Sequence, residues 1–337
     1  VRITLLAYQE PDEQQLDVVV EQVAQALRGV RHDVDTLAVQ HDVVEMVQAL
    51  KQRRPELVFN LLESFGDDII GGQIGVAGVL DLLQLPYTGG GPGELYLQED
   101  KALAKKLLAY EQVLYPHFAS FTPNADFETG GKLRMPLFVK PARSDASIGI
   151  DAERSLVRNT QDLLKQVLSI HEKYGDAALA EEYIEGREFY VGVLGNQEPT
   201  VFPAIEMDFS GMPDGMAKVL DNKAKFDTAS EQYQGTKAVL AQLEPQEQAR
   251  LQKVALDAYR ALRVRDYGRI DLRVTESGEI YVIEVNANCY LERSGEFATA
   301  AAAAGIQYPD LIDRIAQLAI ERWQTTHATL AQSGSGK

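Results

Sequence analysis

Apolar and polar positions along this chain follow two rhythms, a strand-like period of two and a helix-like period near 3.6, and their order predicts the architecture. Val1 to Ala7 (VRITLLA) is an apolar run of strand length. A polar stretch, Gln9 to Gln15, separates it from Leu16 to Leu27, where apolar residues recur at helical spacing. His32 to Leu37 alternates as a strand, Val43 to Gln52 is helical, and Glu56 to Leu62 is again an apolar strand. This β-α-β-α-β order predicts a parallel sheet with helices on its faces. Gly71 to Leu83 reads as another helix. Gly89-Gly90-Gly91-Pro92-Gly93 combines flexible and φ-locked residues and reads as a turn. A first boundary falls here and closes an N-terminal α/β domain over residues 1–95.

Beyond it, Asp100 to Leu108 is helical, Pro136 to Pro141 is a short strand ending at proline, Thr160 to Lys173 is helical and Ala177 to Tyr183 is a strand. These form a central α+β unit over residues 96–186. Glu188 to Leu194 and Thr200 to Met207 are strands, and Pro245 to Leu262 is a long helix. Tyr267 to Val274 and Glu279 to Val285 pair as a hairpin across Thr275-Glu276-Ser277-Gly278, and Tyr308 to Trp323 is a closing helix. They make a larger C-terminal α+β unit over 187–326. Residues 327–337, with Ser333-Gly334-Ser335-Gly336-Lys337 at their end, read as a flexible tail. No internal repeat is visible.

A length of 337 residues agrees with two or three domains. The net charge of −17 argues against non-specific nucleic-acid binding, because a polyanion would be repelled, but leaves room for a nucleotide held by a few local cations. Cys289 is the single cysteine, so an intrachain disulfide and a cysteine-cluster zinc site are both excluded. No basic-then-apolar leader and no run of 18 apolar residues is present. The expectation is a cytoplasmic protein with no membrane partner.

The strongest chemical signal is in the C-terminal hairpin. Asp271 lies on one strand, and Glu284 and Asn286 lie two positions apart on the other, so both of the latter share a face. Three oxygen donors can converge there and suit magnesium shared with phosphates. Asp271 and Glu284 sit in apolar runs, where a carboxylate is unfavourable unless paired or metal-bound. The alternative is a buried salt bridge to Arg269 or Arg273. Lys140 ends a strand and precedes a loop whose small residues, Ser147-Ile148-Gly149, can bring backbone N–H groups to a phosphate. Lys101 begins a helix after the first boundary. Each lysine alone also fits a solvated surface group. The Walker pattern is absent, and GGGPGE at 89–94 is not GxGxxG. Leu179 to Phe189 runs Glu181, Glu182, Tyr183 and Ile184 into Gly186 and Glu188. Such a segment can line an adenosine pocket, its backbone reading the adenine edge and a glutamate taking the ribose, or can simply be a strand with acidic flanks.

Taken in order, LPYTGGG (85–91), DKALAKKLL (100–108), PLFVKPARSDASIGI (136–150), AEEYIEGREFYVGVLG (180–195), AKF (224–226), YGRIDLRV (267–274), EVNAN (284–288) and AAAAAGIQYPDLI (300–312) resemble the D-alanine–D-alanine ligase branch of the ATP-grasp superfamily. The resemblance spans about Leu57 to Leu318. It implies a three-domain ATP-grasp fold, α/β and α+β, with an N-terminal parallel-sheet (pre-ATP-grasp) domain and ATP between the second and third domains. It implies ATP and Mg²⁺, two ions, as cofactors and small-molecule carboxylate and amine substrates. The reaction would be ADP-forming C–N ligation through an acyl phosphate, by a family that commonly forms dimers. By resemblance, Asp271, Glu284 and Asn286 are metal ligands, Lys101 and Lys140 bind phosphates, and Lys225 reaches the γ-phosphate. Ser147, Ile148 and Gly149 cover the phosphates. Glu181, Glu182, Tyr183 and Ile184 line the adenine site, Ile283 is a further ATP-binding residue, Glu188 takes the ribose, and Arg269 stabilises the oxyanion.

Departures gather at the substrate positions. The family's glycine-serine-serine loop reads Asp145-Ala146-Ser147, and the tyrosine after the Ala-Lys pair is Phe226. The glycine-rich start is replaced by YQEPDEQQ, where Glu10, Asp12 or Glu13 can stand for the family's N-terminal glutamate. The histidine-glycine stretch reads LLESFGDD at 61–68. The asparagine-proline-glycine turn reads Asn288-Cys289-Tyr290, followed by Leu291, Glu292 and Arg293. Glu292 can bind a substrate amine and Arg293 a carboxylate, or the two form a surface ion pair. Nothing near Cys289 in the sequence supplies an activating base, so it reads as a small packed residue. The nucleotide machinery is kept and the substrate pocket is altered. Alternatives are a non-catalytic nucleotide-binding homologue and a ligase with a thiol or hydroxyl nucleophile.

Overall fold

The computed structural model describes residues 1–10, 15–66, 69–124, 127–143, 154–212, 218–220, 224, 227 and 229–334. Its strands form three sheets. In the first, β1 (Arg2–Tyr8) is flanked in parallel by β2 (Asp33–Val39) and β3 (Leu57–Asn60), as the alternation predicts. Helix α1 (Val18–Gly29) starts where the Asp17 carboxylate accepts from the Val19 N–H at 2.8 Å. Its buried Val19, Val20, Val23, Ala24 and Leu27 cover Ile3, Leu5 and Ala7 of β1. Helices α2 (Val43–Arg53) and α3 (Ile69–Leu82) complete this layer.

The glycine-rich turn is shorter than the sequence reading made it. Pro92 takes the first helical position, which needs no N–H donor, and α4 (Pro92–Glu99) begins there and contains residue 95. Helix α5 (Lys101–Tyr110) follows, capped by Asp100 accepting from the Leu103 N–H at 2.9 Å.

The second sheet is antiparallel, in the order β5-β4-β8-β6-β7. Its strands are β4 (Phe118–Phe121), β5 (Phe127–Gly130), β6 (Leu137–Pro141), β7 (Leu156–Val157) and β8 (Ala178–Glu182), packed on α6 (Thr160–Tyr174). The third runs β12-β11-β9-β13-β14, with β10 beside β9. It contains β9 (Arg187–Leu194), β10 (Thr200–Val201), β11 (Ile205–Asp208), β12 (Lys237–Leu240), β13 (Tyr267–Val274) and β14 (Ile280–Asn286). The expected strand from Thr200 to Met207 is two strands, because Pro203 between them has no N–H to give to a ladder. Between the second and third sheets the chain turns at Gly186 (φ +154°), where a Cβ would stand 2.0 Å from the Val274 carbonyl.

Helices α7 (Glu231–Gln234), α8 (Pro245–Ala261), α9 (Glu296–Ala303) and α10 (Tyr308–Gly334) complete the chain. Helix α10 continues past Trp323 to Gly334, so the expected tail from 327 begins as helix. Among the described residues no helix is long and apolar enough to cross a membrane.

One buried carboxylate joins these parts. Asp266 is fully buried and accepts from the Gly89 N–H (2.9 Å), from Asn196 Nδ2 (3.0 Å) and from Arg322 Nε and Nη2 (3.0 and 2.8 Å). Arg322 also donates to the Tyr87 carbonyl at 2.7 Å. The glycine loop, the third sheet and α10 therefore share a single anchor. Gly89 has φ +81°, and a Cβ there would meet Asn288 Oδ1 at 2.1 Å, which explains why this loop position has no side chain.

Candidate active site

The register of the third sheet builds the site. In the β13–β14 hairpin Arg269 pairs with Asn286 and Asp271 with Glu284. On its other side β13 pairs Arg273 with Glu188 and Asp271 with Tyr190 of β9. Directly paired residues share a face, as do residues two apart. Glu188, Tyr190, Arg269, Asp271, Arg273, Glu284 and Asn286 therefore lie on one face. The opposite face carries Phe189, Val191, Val193, Ile270, Leu272 and Val282, packed against Leu251, Ala255, Ala258 and Tyr259 of α8. The register shifts after Asp271, so Leu272 pairs with Val282 and Ile283 is the extra residue. The bulge lets Ile283 line the cleft above the polar face.

That cleft is open to solvent, and the space within it, solvent included, is about 850 Å³. The second sheet forms its other wall, with Phe138 and Lys140 of β6 and Glu181 and Glu182 of β8. Lys140 and Lys105 both reach Glu181, at 2.8 and 2.5 Å. Burial pushes the Glu181 carboxyl up, but Lys105 and Lys140 together outweigh it and hold the group below its ordinary value. Burial lowers the pKa of Lys105 in turn, against the pull of Glu181. Lys101 lies at the start of α5, its Nζ 3.4 Å from Glu284 Oε1.

Two carboxylates and one amide make the candidate metal set. Among the described residues no group of three or more His, Cys, Asp and Glu side chains could hold a metal, and the candidate set adds the Asn286 amide to its two carboxylates. Asn286 Nδ2 lies 3.2 Å from Asp271 Oδ2. An all-oxygen set with so few protein donors fits Mg²⁺, which fills its remaining positions with phosphate oxygens and water. Asp271 also realises the salt-bridge alternative, since Arg269 Nε and Nη2 donate to its two oxygens at 2.8 and 2.9 Å. A carboxylate has lone pairs left for a cation. Burial drives the Asp271 pKa up to about 6 in spite of Arg269, and the nearby Glu284 adds to the rise. A positive ion at this face would offset that.

Most of the candidate residues come together. Lys140, Glu181, Glu182, Tyr183, Ile184, Glu188, Arg269, Asp271, Ile283, Glu284 and Asn286 all line the cleft. Glu188 is held in place, with Oε2 accepting from Arg273 Nε and Nη2 (3.0 and 2.6 Å) and Oε1 from the Tyr190 hydroxyl (3.0 Å). The expected reading of adenine by the backbone needs correction at two atoms. The Glu182 N–H donates to the His117 carbonyl (2.8 Å) and the Tyr183 N–H to the Pro136 carbonyl (3.0 Å), because this segment is still paired to the second sheet.

The altered-pocket candidates lie elsewhere. Tyr290 and Leu291 line a smaller recess of about 290 Å³, open solvent included, with Asn60, Glu63, Asn288 and Cys289. The Tyr290 hydroxyl donates to Asp17 at 2.7 Å, and the Arg293 guanidinium lies 5.0 Å from the Tyr308 ring centroid. Glu292 accepts from the Ser294 hydroxyl at 2.7 Å. Cys289 is buried and its thiol is pushed up, which agrees with a packed residue. Glu10 is exposed just after β1. Asp12, Glu13, Ser147, Ile148, Gly149, Lys225 and Phe226 lie outside the described residues.

Sequence reasoning missed Lys105, and it offered Arg273 as a partner of Asp271 where the structure pairs it with Glu188. Lys105 follows Lys101 by one helical turn, a spacing that could have been read as a second inward lysine. Replacing Lys105 with methionine is expected to lower unfolding free energy by about 1–3 kcal/mol, because Glu181 stays buried with one partner fewer. Urea denaturation measures it, and a variant as stable as the parent would show that Lys140 alone suffices.

Residues 107–317 match the family model of the D-Ala-D-Ala ligase C-terminus. The chain belongs to the D-alanine–D-alanine ligase family. It shares 30% identity with the D-alanine–D-alanine ligase of Pelotomaculum thermopropionicum, covering 85% of this chain and 87% of that one. The figures for the ligase of Desulforudis audaxviator are 31%, 89% and 92%. An uncharacterized protein of Sinorhizobium fredii, y4sG, is 34% identical over 80% of this chain and 76% of its own. The Bacillus anthracis D-alanine–D-alanine ligase complexed with ATP superposes with a TM-score of 0.73 at 20% identity, covering 96% and 99% of the two chains. That likeness establishes the ATP-grasp fold. Family membership makes the chain an ATP-dependent ligase of the carbon–nitrogen type.

Proposed function

We propose that this family member is an ADP-forming carboxylate–amine ligase working through an acyl phosphate, with Mg²⁺-ATP bound in the cleft between the second and third sheets. The observation that carries this reading is the single face bearing Arg269, Asp271, Glu284 and Asn286 opposite Lys140. In this proposal residues 1–95, 96–186 and 187–326 act as three domains.

Tyr183, Ile184 and Ile283 enclose the base, and Glu188, oriented by Arg273 and Tyr190, takes the ribose hydroxyls. Lys101 and Lys140 neutralise the phosphates, and Asp271, Glu284 and Asn286 hold the metal. Bound magnesium would supply charge neutralisation on the transferring phosphoryl group. Arg269 is stacked 4.4 Å from the Tyr190 ring centroid and held by Asp271, which fixes the guanidinium that in this proposal stabilises the oxyanion formed when the amine attacks. The remodelled loop around Tyr290 supports a substrate pair other than two D-alanines.

The test is phosphate release on a matrix of carboxylate and amine pairs, with product mass determined for each active pair. ADP formation that depends on both partners supports the proposal. Background turnover with every pair overturns it. Arg269→Ala is expected to lower kcat by roughly 10²–10³-fold with little change in KM for ATP, the usual effect of removing one oxyanion donor. An unchanged kcat would remove Arg269 from the chemistry.

A further inference from the structure

The polar face of the third sheet is ordered along β13. Arg273 holds Glu188, the ribose ligand of the ligase reading, Asp271 belongs to the metal set and Arg269 to the oxyanion. Each is two residues, or about 6.6 Å, from the next. Tyr267 is the following residue on that face, and Asn288 lies two residues beyond Asn286, the partner of Arg269. Both line the recess that also holds Asn60, Glu63, Cys289 and Tyr290. The recess therefore continues the face past Arg269, at the end opposite the ribose position. A substrate carboxylate that meets the γ-phosphate beside Arg269 would direct its remaining atoms there.

Two groups in the recess suit an occupant. Asn288 Oδ1 accepts from the Gly90 N–H at 2.8 Å, which fixes the amide, and its buried Nδ2 has no hydrogen-bond partner among the described residues. An oxygen of a bound molecule would satisfy that donor. Glu63 adds a carboxylate to the same recess, which suits an ammonium. Room is limited. Even with open solvent included, the recess is about 290 Å³, below the roughly 300–1,000 Å³ usual for drug-sized ligands.

Tyr290 closes one side of this space. Its hydroxyl donates to Asp17 at 2.7 Å, beside Val19 of the lining, so the ring spans from the loop to the start of α1. The loop is tied to α1 again by the Arg293 N–H, which donates to Gln22 Oε1 at 2.7 Å. It is tied to α10 by the Tyr308 hydroxyl, which donates to the Leu291 carbonyl at 2.8 Å. A wall held at both ends resists a larger occupant, because making room would break these bonds.

We infer that Tyr290 is the size filter of the substrate recess beyond Arg269, admitting an amino acid whose side chain is no larger than a methyl group and excluding bulkier ones. This deepens the ligase reading and rests on it. Tyr290 meets the substrate's side chain and takes no part in the bond-forming step.

The experiment titrates glycine and both enantiomers of alanine, leucine and phenylalanine into the full chain saturated with Mg²⁺ and a non-hydrolysable ATP analogue, with binding followed by calorimetry. Glycine or one enantiomer of alanine is expected to bind at least about tenfold more tightly than leucine or phenylalanine. In Tyr290→Gly that gap should shrink to about threefold or less, with analogue affinity unchanged within about twofold. Tyr290→Ala should behave in the same way. Tyr290→Phe keeps the ring and should keep the size limit, which separates the wall from its hydrogen bond. Three results overturn the inference and leave the ligase reading standing: leucine or phenylalanine binding the parent as tightly as alanine, glycine and alanine leaving the nucleotide-bound parent unoccupied, or an unchanged gap in both the glycine and alanine variants. Failure of the ATP analogue to bind at all overturns both.

Discussion

Asp271→Asn is expected to reduce metal-dependent turnover by at least about 10³-fold, while the stability of the metal-free variant relative to the parent should be greater at pH 8 than at pH 4. The catalytic loss follows from removing one of two carboxylates from the metal set, since Lewis-acid neutralisation contributes several kcal/mol and each 1.4 kcal/mol is tenfold in rate. The stability effect follows from burial. Asp271 titrates at about 6 in the fold against 3.8 unfolded. A carboxyl with a raised folded pKa holds its proton more tightly when folded, so its ionisation opposes folding. The penalty is absent below pH 3.8, grows up to pH 6 and is full above it. At 1.36 kcal/mol per pK unit it is on the order of 3 kcal/mol. Asparagine carries no such charge, so relief of this penalty should be present at pH 8 and gone by about pH 4. Thermal melts at both pH values in EDTA, with kcat at saturating Mg²⁺, measure the two halves. Retained turnover, or a stability difference independent of pH, would contradict the assignment.

Asp266→Ala is expected to lower unfolding free energy by about 3–5 kcal/mol, the usual effect of deleting one partner of a buried ion pair. Arg322 would be left beside Tyr87 without its carboxylate, and the Gly89 N–H and Asn196 would lose an acceptor. Because Asp266 ties the glycine loop and α10 to the third sheet, the loss should appear as a lower midpoint in urea denaturation. Asp266→Asn can still accept from Gly89 and should recover part of it. A change below about 1 kcal/mol for alanine would mean the anchor is not mechanically important.

Much of the site was legible because it lies on strands. Alternation put Glu284 and Asn286 on one face, and the hairpin across Thr275–Gly278 brought Asp271 opposite Glu284. The parallel β1–β3 sheet was legible for the same reason, as buried strands separated by amphipathic helices. What escaped was short or long-range. The four-residue strands β4 and β5 are too brief for a period to be counted, and α9 lies in an alanine run whose composition has no polar face. The one-residue bulge at Ile283 has no local mark in the sequence. Neither has the pairing of Asp266 with Arg322, 56 residues away, or of Arg269 with Glu296. Resemblance supplied the roles of Lys101 and Lys140, and the structure supplied their companion Lys105.

The most direct test of the ligase assignment is a crystal structure of the protein with Mg²⁺ and a non-hydrolysable ATP analogue. The triphosphate should lie between Lys140 and the β13–β14 hairpin, with magnesium ligated by Asp271, Glu284 and Asn286 and the base beside Tyr183 and Ile184. Nucleotide bound away from this cleft, or a metal that touches none of those three side chains, would contradict it.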